Sequence, residues 1–180
     1  MKKDIRIKAA FLVVAADKIF KNTGFRIRDG RVFEIVSNEE NDENDEVIDC
    51  SNDIVCPSFS DMHTHLYSTL LKNIALPEVS LVENLKIFWW PRLENRQTIA
   101  TIRDAVSYGV YQHLRSGYTF VNDILEAPFA KTGKRLQTEK EIFEKSGMKG
   151  ILGLESNERI SRKNGVECLD ENKEFEKENK

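Results

Sequence analysis

The chain has 180 residues, with 27 lysines and arginines against 30 aspartates and glutamates and a formal net charge of -3. This balance excludes the strongly basic surface of nucleic-acid-binding proteins, so we expect no nucleic-acid partner. No apolar run approaches the roughly 20 residues needed to span a bilayer, and the first residues lack a signal-peptide core, so we expect no membrane association. The three cysteines form no closely spaced pair, which indicates a reduced, cytoplasmic protein.

Residues 1–56 have the sequence pattern of a small β module. Apolar and polar residues alternate over 5–11, 25–28 and 31–36, and short apolar runs follow at 47–50 and 54–56. Asp29-Gly30 separates two of these runs, and this dipeptide favours a two-residue hairpin turn because both turn positions take positive φ angles. A few strands are marginally stable alone, so this module is expected to need a partner surface.

Helices then alternate with short apolar strands over residues 57–180. The predicted helices cover 68–76, 81–90, 99–114 and 139–145, with another starting at 170–180, and the predicted strands cover 118–123 and 148–154. Thr98 is a predicted helix N-cap, Gly117 a predicted helix end, and Pro91 is expected to interrupt the second helix. Such alternation predicts βα units around a parallel sheet.

Two of the three histidines, His63 and His65, follow the apolar run 54–59. Side chains at positions i and i+2 of a strand point to the same face, so both imidazoles can contact one ion. Imidazole is a common ligand of zinc, iron and similar divalent metals. A catalytic metal takes three or more protein ligands, so this pair is half of a metal site. The third histidine, His113, is predicted to be a core or capping residue of its helix.

The segment Pro57-Ser58-Phe59-Ser60-Asp61-Met62-His63-Thr64-His65-Leu66 resembles the first-strand signature of the amidohydrolase superfamily, PGFxDxHxH, with Ser58 in place of the usual glycine. Residues 65–71, Trp89-Trp90 and 116–120 resemble its cytosine-deaminase-like and chlorohydrolase-like branch. Residues 155–159, 164–165 and 170–172 are similar to the aminohydrolases associated with selenium metabolism.

The resemblance implies an α/β fold in two parts. Residues 57–180 would form the first three βα units of a (β/α)8 TIM-type barrel, preceded over 1–56 by part of a small β-sandwich domain. A complete barrel needs about 250 residues, so we expect only the N-terminal portion of such an enzyme. The later metal-binding histidine, the second histidine near the substrate and the aspartate of the last strand have no counterparts in the sequence.

The resemblance also implies a chemistry, namely hydrolytic deamination or dechlorination of an aminated N-heterocycle by metal-activated water. His63 and His65 would bind the metal, with zinc as the first choice and iron or manganese as alternatives. Glu94 would be a substrate-contacting acid or else an ordinary solvated glutamate. No catalytic residue is assigned, and we expect the chain to be inactive alone. The implied partners are a small heterocyclic substrate and a C-terminal half or a second copy. The alternative is a non-catalytic binding or assembly module that pairs with a separate C-terminal half.

Several other polar residues keep two interpretations. Asp61 could orient a metal ligand or bind the local backbone. Asp123 could contact substrate or metal ligands, or cap the turn that follows its strand. Glu155 and Arg159 could form a structural ion pair or a substrate clamp.

Overall fold

The computed structural model describes residues 3–40, 44–72, 74 and 78–179. The chain divides into two compact units, Met1–Ser58 and Phe59–Lys180. The polar, acidic stretch at 37–46, whose composition is typical of a solvated loop, falls partly outside the described residues, as do the predicted helices at 68–76 and 170–180. No helix in the described ranges is long and apolar enough to cross a membrane.

The first unit is a five-stranded mixed sheet. Its strands are β1 (Ile5–Ala15), β2 (Lys18–Lys21), β3 (Thr23–Arg28), β4 (Arg31–Ser37) and β5 (Glu46–Val55). The order β2-β1-β3-β4 is antiparallel, and β5 pairs with β1 in parallel. Asp29 and Gly30 link β3 to β4 with φ angles of 50° and 75°, so the predicted hairpin is confirmed. The two apolar runs after the acidic segment form one strand, β5, and β2 was not predicted.

One surface of this sheet carries an apolar groove of about 400 Å³. It is lined by Leu12, Val13, Val14, Phe25, Val32, Ile35, Val55, Cys56 and Pro57. Several of these side chains are far from buried, with Val32 58% and Ile35 47% exposed. Because apolar sheet faces are stable when another layer covers them, the apolar groove is a candidate contact surface.

The second unit is built on a three-stranded parallel sheet. Its strands are β6 (Phe59–Thr64), β7 (Tyr118–Leu125) and β8 (Lys149–Leu154), in the order β6-β7-β8. Its helices are α1 (Leu81–Asn84), α2 (Ile99–Arg115), α3 (Arg135–Ser146) and α4 (Arg162–Glu178), with 3-10 turns at Leu66–Leu71 and Glu94–Arg96 and a π-helix at Leu85–Leu93. The predicted alternation of helices with parallel strands is therefore present.

The ends of the longest helices follow their local signals. Thr98 accepts a hydrogen bond from the Thr101 backbone N–H, and the Thr101 hydroxyl oxygen accepts one from the Thr98 N–H. This reciprocal cap confirms Thr98 as the N-cap of α2. Gly117 follows the helix with φ of 83°, which confirms it as the helix end.

Four predicted helices differ from the structure. The described part of the helix predicted at 68–76 is a 3-10 turn over Leu66–Leu71. Pro91 does not end the second helix but lies inside the π-helix, whose wider turn accommodates the missing N–H. The helix predicted at 139–145 begins earlier, at Arg135, and the one predicted from 170 begins at Arg162. Ser161 caps the latter by accepting a hydrogen bond from the Asn164 N–H.

The core of the second unit packs α2 and α3 against the sheet. Ile102, Val106 and Val110 of α2 are buried together with Val121 and Leu125 of β7. These contacts fix the strand β7 beneath α2. Consequently the carboxyl ends of the three parallel strands, where polar residues follow each strand, lie along one edge of the sheet.

A buried ion pair joins α3 to α4. Arg135 is 1% and Glu171 6% exposed, and their side chains meet at 2.8 Å between Arg135 Nη2 and Glu171 Oε2. The Glu171 carboxylate also accepts hydrogen bonds from the backbone N–H groups of Gly133, Arg135 and Leu136. Glu171 therefore caps the start of α3 from a different helix, where Lys134 provides no side-chain cap.

Candidate active site

The edge formed by the carboxyl ends of β6, β7 and β8 collects the chemically active side chains of the second unit. His63 lies in β6 and His65 directly follows it, and their rings are 5.0 Å apart between centroids. His63 is exposed and His65 is half-buried. The two imidazoles therefore lie side by side, and their binding of one ion stays a prediction.

His65 has a fixed ring orientation. Its Nδ1 lies 2.9 Å from the carbonyl oxygen of Ile124 in β7, so Nδ1 carries the hydrogen and donates it. In the neutral ring Nε2 then keeps its lone pair. This is the arrangement in which a backbone carbonyl orients a metal-binding histidine.

Asp61 makes both a local and a longer-range contact. Its Oδ1 accepts a hydrogen bond from the His63 backbone N–H at 3.1 Å, which is the local alternative considered for this residue. Its Oδ2 lies 3.1 Å from His113 Nε2, while His113 Nδ1 donates to the Gly109 carbonyl. Burial opposes ionisation, but the hydrogen bonds from His113 and His63 hold the pKa of Asp61 below its usual value.

A second polar group, the Glu94–Arg159 cluster, lies beside the histidines. Here it denotes Tyr67, Trp90, Asn95, Glu94, Glu126, Glu155, Asn157 and Arg159. Arg159 Nη2 lies 2.9 Å from Glu94 Oε2 and 2.8 Å from Glu126 Oε1. The Tyr67 hydroxyl donates to Glu94 at 3.2 Å, and the Tyr67 ring packs edge-on against His65 at 5.9 Å. Tyr67 thus connects this cluster to the histidine pair.

These contacts decide two of the open alternatives. Glu94 is only 3% exposed and is therefore not an ordinary solvated glutamate. Arg159 pairs with Glu94 and Glu126, and the predicted pair with Glu155 is not formed; Glu155 instead accepts a hydrogen bond from Asn157 at 2.9 Å. Glu126 and Tyr67 were not predicted as site residues. Glu126 directly follows β7, and the residue after a parallel strand is a common position for active-site residues, so this signal could have identified it.

The cluster contains three carboxyl groups, those of Glu94, Glu126 and Glu155, but only one guanidinium, that of Arg159. If all three carboxyl groups were ionised, their negative charge would exceed the positive charge of Arg159. Burial and the Glu126 carboxylate raise the pKa of Glu94 to about 8, against the opposing effect of Arg159. Burial and Glu126 also raise the pKa of Glu155, whereas hydrogen bonds to Glu155 and Arg159 outweigh burial and lower the pKa of Glu126. Near neutral pH Glu94 is therefore protonated, while Glu126 is ionised.

This charge arrangement predicts a measurable pH dependence. Because the pKa of Glu94 is about 8 in the folded chain against an ordinary value of 4.5, the folded state binds more protons between these pH values. The free energy of unfolding should therefore fall as pH rises from about 4.5 to about 8. The lowered pKa of Glu126 makes the free energy of unfolding rise with pH instead, but only below pH 4.5, the ordinary pKa of a glutamate. We expect E94Q to flatten this slope in urea unfolding at several pH values.

E144Q is a matched control, because Glu144 lies on α3 with a 63% exposed side chain. Its slope should equal that of the unaltered chain. Equal slopes for E94Q and the unaltered chain would contradict the assignment of the proton to Glu94.

Asp123 ends up fully buried at the same edge. Its Oδ1 accepts a hydrogen bond from the Leu66 backbone N–H at 2.8 Å, so it holds the residue that follows His65. It does not cap the turn after its own strand, and it is placed behind the histidines. Within the described ranges, no three or more His, Cys, Asp or Glu side chains are arranged to hold a metal ion.

Comparison with known proteins places this site in a family. The sequence model of the Amidohydrolase family matches residues 54–173, which is two-thirds of the chain. The chain belongs to the amidohydrolase family. The predicted membership of this superfamily is thus confirmed. The match includes the histidine pair and every residue of the Glu94–Arg159 cluster.

Curated relatives of this amidohydrolase chain are much longer proteins. It is 31% identical over 112 residues to the 5'-deoxyadenosine deaminase of Methanothrix thermoacetophila, covering 62% of this chain and 26% of that protein. The 5'-deoxyadenosine deaminase of Methanocaldococcus jannaschii is 29% identical over 114 residues, covering 63% and 25%. The chain therefore spans about a quarter of the length of these curated relatives.

Solved structures agree on the fold. The E. coli guanine deaminase matches with a TM-score of 0.76 at 16% identity, covering 97% of this chain and 43% of that one. A zinc-bound adenosine deaminase from Xanthomonas campestris matches with a TM-score of 0.76 at 15% identity, covering 96% and 40%. At these identities the likeness concerns the fold, and this amidohydrolase chain corresponds to part of each structure.

Proposed function

We propose that this chain forms one part of an amidohydrolase that hydrolytically removes an amino group, or a chlorine, from a small N-heterocycle. The observation that carries the proposal is the oriented His65 ring beside His63, next to a buried acidic cluster at the carboxyl edge of a parallel sheet. The curated relatives named above are deaminases, which supports the reaction class. We place the enzyme in the cytoplasm and its three βα units at the start of a (β/α)8 barrel, over residues 57–180 after a β module at 1–56.

The two histidines fit a divalent metal as part of its ligand set. The hydrogen bond from His65 Nδ1 leaves Nε2 of the neutral ring available for coordination, and imidazole nitrogen suits zinc, with iron or manganese as alternatives. Structural neighbours that contain zinc support the choice of zinc. Bound divalent metals supply hydrolases with an activated water near neutral pH. The remaining ligands would come from outside the described residues.

We assign substrate binding to Glu94. Its carboxyl group is buried, bonded to Tyr67 and paired with Arg159, so both its protonation and its direction are fixed before a ligand arrives. A protonated Glu94 can donate a hydrogen bond to a ring nitrogen or carbonyl oxygen of a heterocycle. The Arg159 guanidinium lies 5.0 Å from the centre of the Trp90 ring, and this contact also holds the guanidinium in place.

The deciding experiment is the zinc content of the purified full chain, compared with that of the H63A/H65A double variant. With two ligands, the unaltered chain should bind zinc weakly and below one equivalent, and the variant should bind none. The chain alone should have no deaminase activity on adenosine-type substrates. Stoichiometric zinc that survives in the double variant, or no difference between the two proteins, would contradict the assigned ligands.

The apolar groove of the first unit favours one alternative function. The chain would be a non-catalytic binding or assembly module that pairs with a separate polypeptide carrying the rest of an amidohydrolase. The groove is lined almost entirely by apolar side chains, and the chain spans about a quarter of the length of its curated relatives. A polypeptide that carries the rest of the amidohydrolase would therefore cover the groove. A reading frame next to this one that encodes the later histidines and aspartate would support a divided enzyme. Without such a frame, self-association would be the expected way to cover the groove.

A further inference from the structure

Two buried carboxyl groups meet behind the histidine pair. Asp123 on β7 and Glu139 on α3 are each 0% exposed, and their carboxyl groups lie close enough to interact directly. A hydrogen bond between two carboxyl groups requires that one of them is protonated. Direct contact between these two buried groups therefore favours one acid and one carboxylate.

Three of the four carboxyl oxygens of this pair lack a donor among the described residues. Both carboxyl oxygens of Glu139 and Oδ2 of Asp123 are buried, and no donor group of the described residues reaches them. Neither side chain takes part in an ion pair with lysine or arginine among the described residues. Two such groups in contact cannot both ionise without a large energetic penalty, so a single shared proton resolves both the charge and the missing donor.

The contacts indicate which residue holds the proton. Asp123 Oδ1 already accepts a hydrogen bond from the Leu66 N–H, which favours its carboxylate form. Among the described residues, Asp123 is the only charged neighbour that acts on Glu139. Burial and Asp123 raise the pKa of Glu139 well above its usual range. On Asp123, burial raises the pKa, while hydrogen bonds to Glu139 and Leu66 and the nearby His65 and His113 rings oppose this effect.

The pair is connected to the metal-binding histidine on two sides. Asp123 holds the N–H of Leu66, the residue after His65, and the neighbouring Ile124 carbonyl holds the His65 ring through Nδ1. Thr64 and Asp123 are also direct partners in the β6-β7 pairing. Rotation of the Asp123 side chain would release Leu66 and loosen the segment that carries His65.

We propose that Glu139 is a positioning residue: as a neutral acid it donates a hydrogen bond to Asp123 and thereby fixes the His65 ring for metal binding. This proposal rests on the assignment of His65 as a metal ligand. Glu139 touches neither histidine and acts only through Asp123. Its role is therefore tested by a substitution that keeps the donor and one that removes it.

The test compares E139Q, which keeps an N–H donor of similar size, with E139L, which removes it, and with E144Q on the exposed face of α3 as control. In the full chain, nitrogen NMR of His65 should show the Nδ1–H form in the unaltered protein, E139Q and E144Q, and a mixture of tautomers in E139L. In NMR titrations with zinc, E139L should bind about tenfold or more weakly, and E139Q should match the unaltered chain.

Unchanged tautomer and zinc affinity in E139L, or a loss in E139Q equal to that in E139L, would overturn the proposal. If E139L does not fold, infrared spectroscopy of the unaltered chain decides. A protonated-carboxyl band at neutral pH that disappears in E139Q supports the proposal, and its absence refutes it. If the unaltered chain binds no zinc at all, the assignment of the metal ligands fails. The tautomer and infrared measurements do not depend on zinc, so they still test the role of Glu139.

Discussion

Replacement of Glu171 by alanine should lower the free energy of unfolding by about 3–5 kcal/mol, the usual effect of removing one partner of a buried ion pair. The substitution leaves the Arg135 guanidinium buried without its carboxylate, since its remaining acceptors are the Ala127 carbonyl and Cys168 sulfur. It also removes the acceptor for three backbone N–H groups at the start of α3. Both losses fall on the same part of the structure.

Urea unfolding followed by circular dichroism measures this effect. E174A is a matched control on an exposed position of α4 and should change the unfolding free energy by less than about 0.5 kcal/mol. The double variant R135M/E171L should recover only the part of the loss that comes from the unpaired guanidinium, because apolar residues of similar volume can replace a buried pair but leave the three backbone N–H groups without their acceptor. A loss below about 1 kcal/mol in E171A would show that the pair does not support α3.

Replacement of Arg159 by alanine should also destabilise the chain, by about 3 kcal/mol near neutral pH. Arg159 is the cation that faces both Glu94 and Glu126, whose side chains are 4% and 8% exposed. Without it, the acidic cluster either protonates further or keeps uncompensated buried charge. The destabilisation should therefore grow as pH rises from about 5 to 8, since ionisation of the carboxyl groups becomes progressively harder to avoid.

Unfolding of R159A and R159K at several pH values tests this expectation. R159K keeps the positive charge but loses the two-pronged contacts of the guanidinium and its stacking on Trp90, so an intermediate loss is expected. A pH-independent loss in R159A, equal to that in R159K, would show that packing and not charge dominates. The same variants should weaken the binding of any ligand that contacts Glu94, because Arg159 fixes the orientation of the Glu94 carboxyl group.

Much of the fold follows from local patterns. Asp29-Gly30, Thr98 and Gly117 each act within a few residues, through positive φ angles or a reciprocal cap, so their predictions are confirmed by the structure. The histidine spacing likewise predicts a shared face. The start of α3 could not be predicted in this way, because its cap, Glu171, lies 36 residues away in sequence from Arg135.

The acidic cluster shows the same limit at the site. Glu94 and Arg159 are 65 residues apart, and their pairing depends on which strand ends lie side by side. Sequence proximity favoured a pair between Glu155 and Arg159, yet the loop after β8 turns Arg159 toward Glu94 and Glu126 instead. Burial of Glu139 against Asp123 has no sequence signal either, since a glutamate inside an amphipathic helix normally indicates its solvent face.

The π-helix at Leu85–Leu93 carries an implication for how this protein can change over time. In an α-helix each residue turns the chain by about 100°, so one residue gained or lost in this segment would swing Glu94 away from Arg159 and Tyr67. Related chains that keep Glu94 in the cluster should therefore vary in residue identity within this segment but seldom in its length. The number of residues between His65 and Glu94 therefore decides whether Glu94 reaches the cluster. An insertion in the π-helix is thus a more severe change than most substitutions.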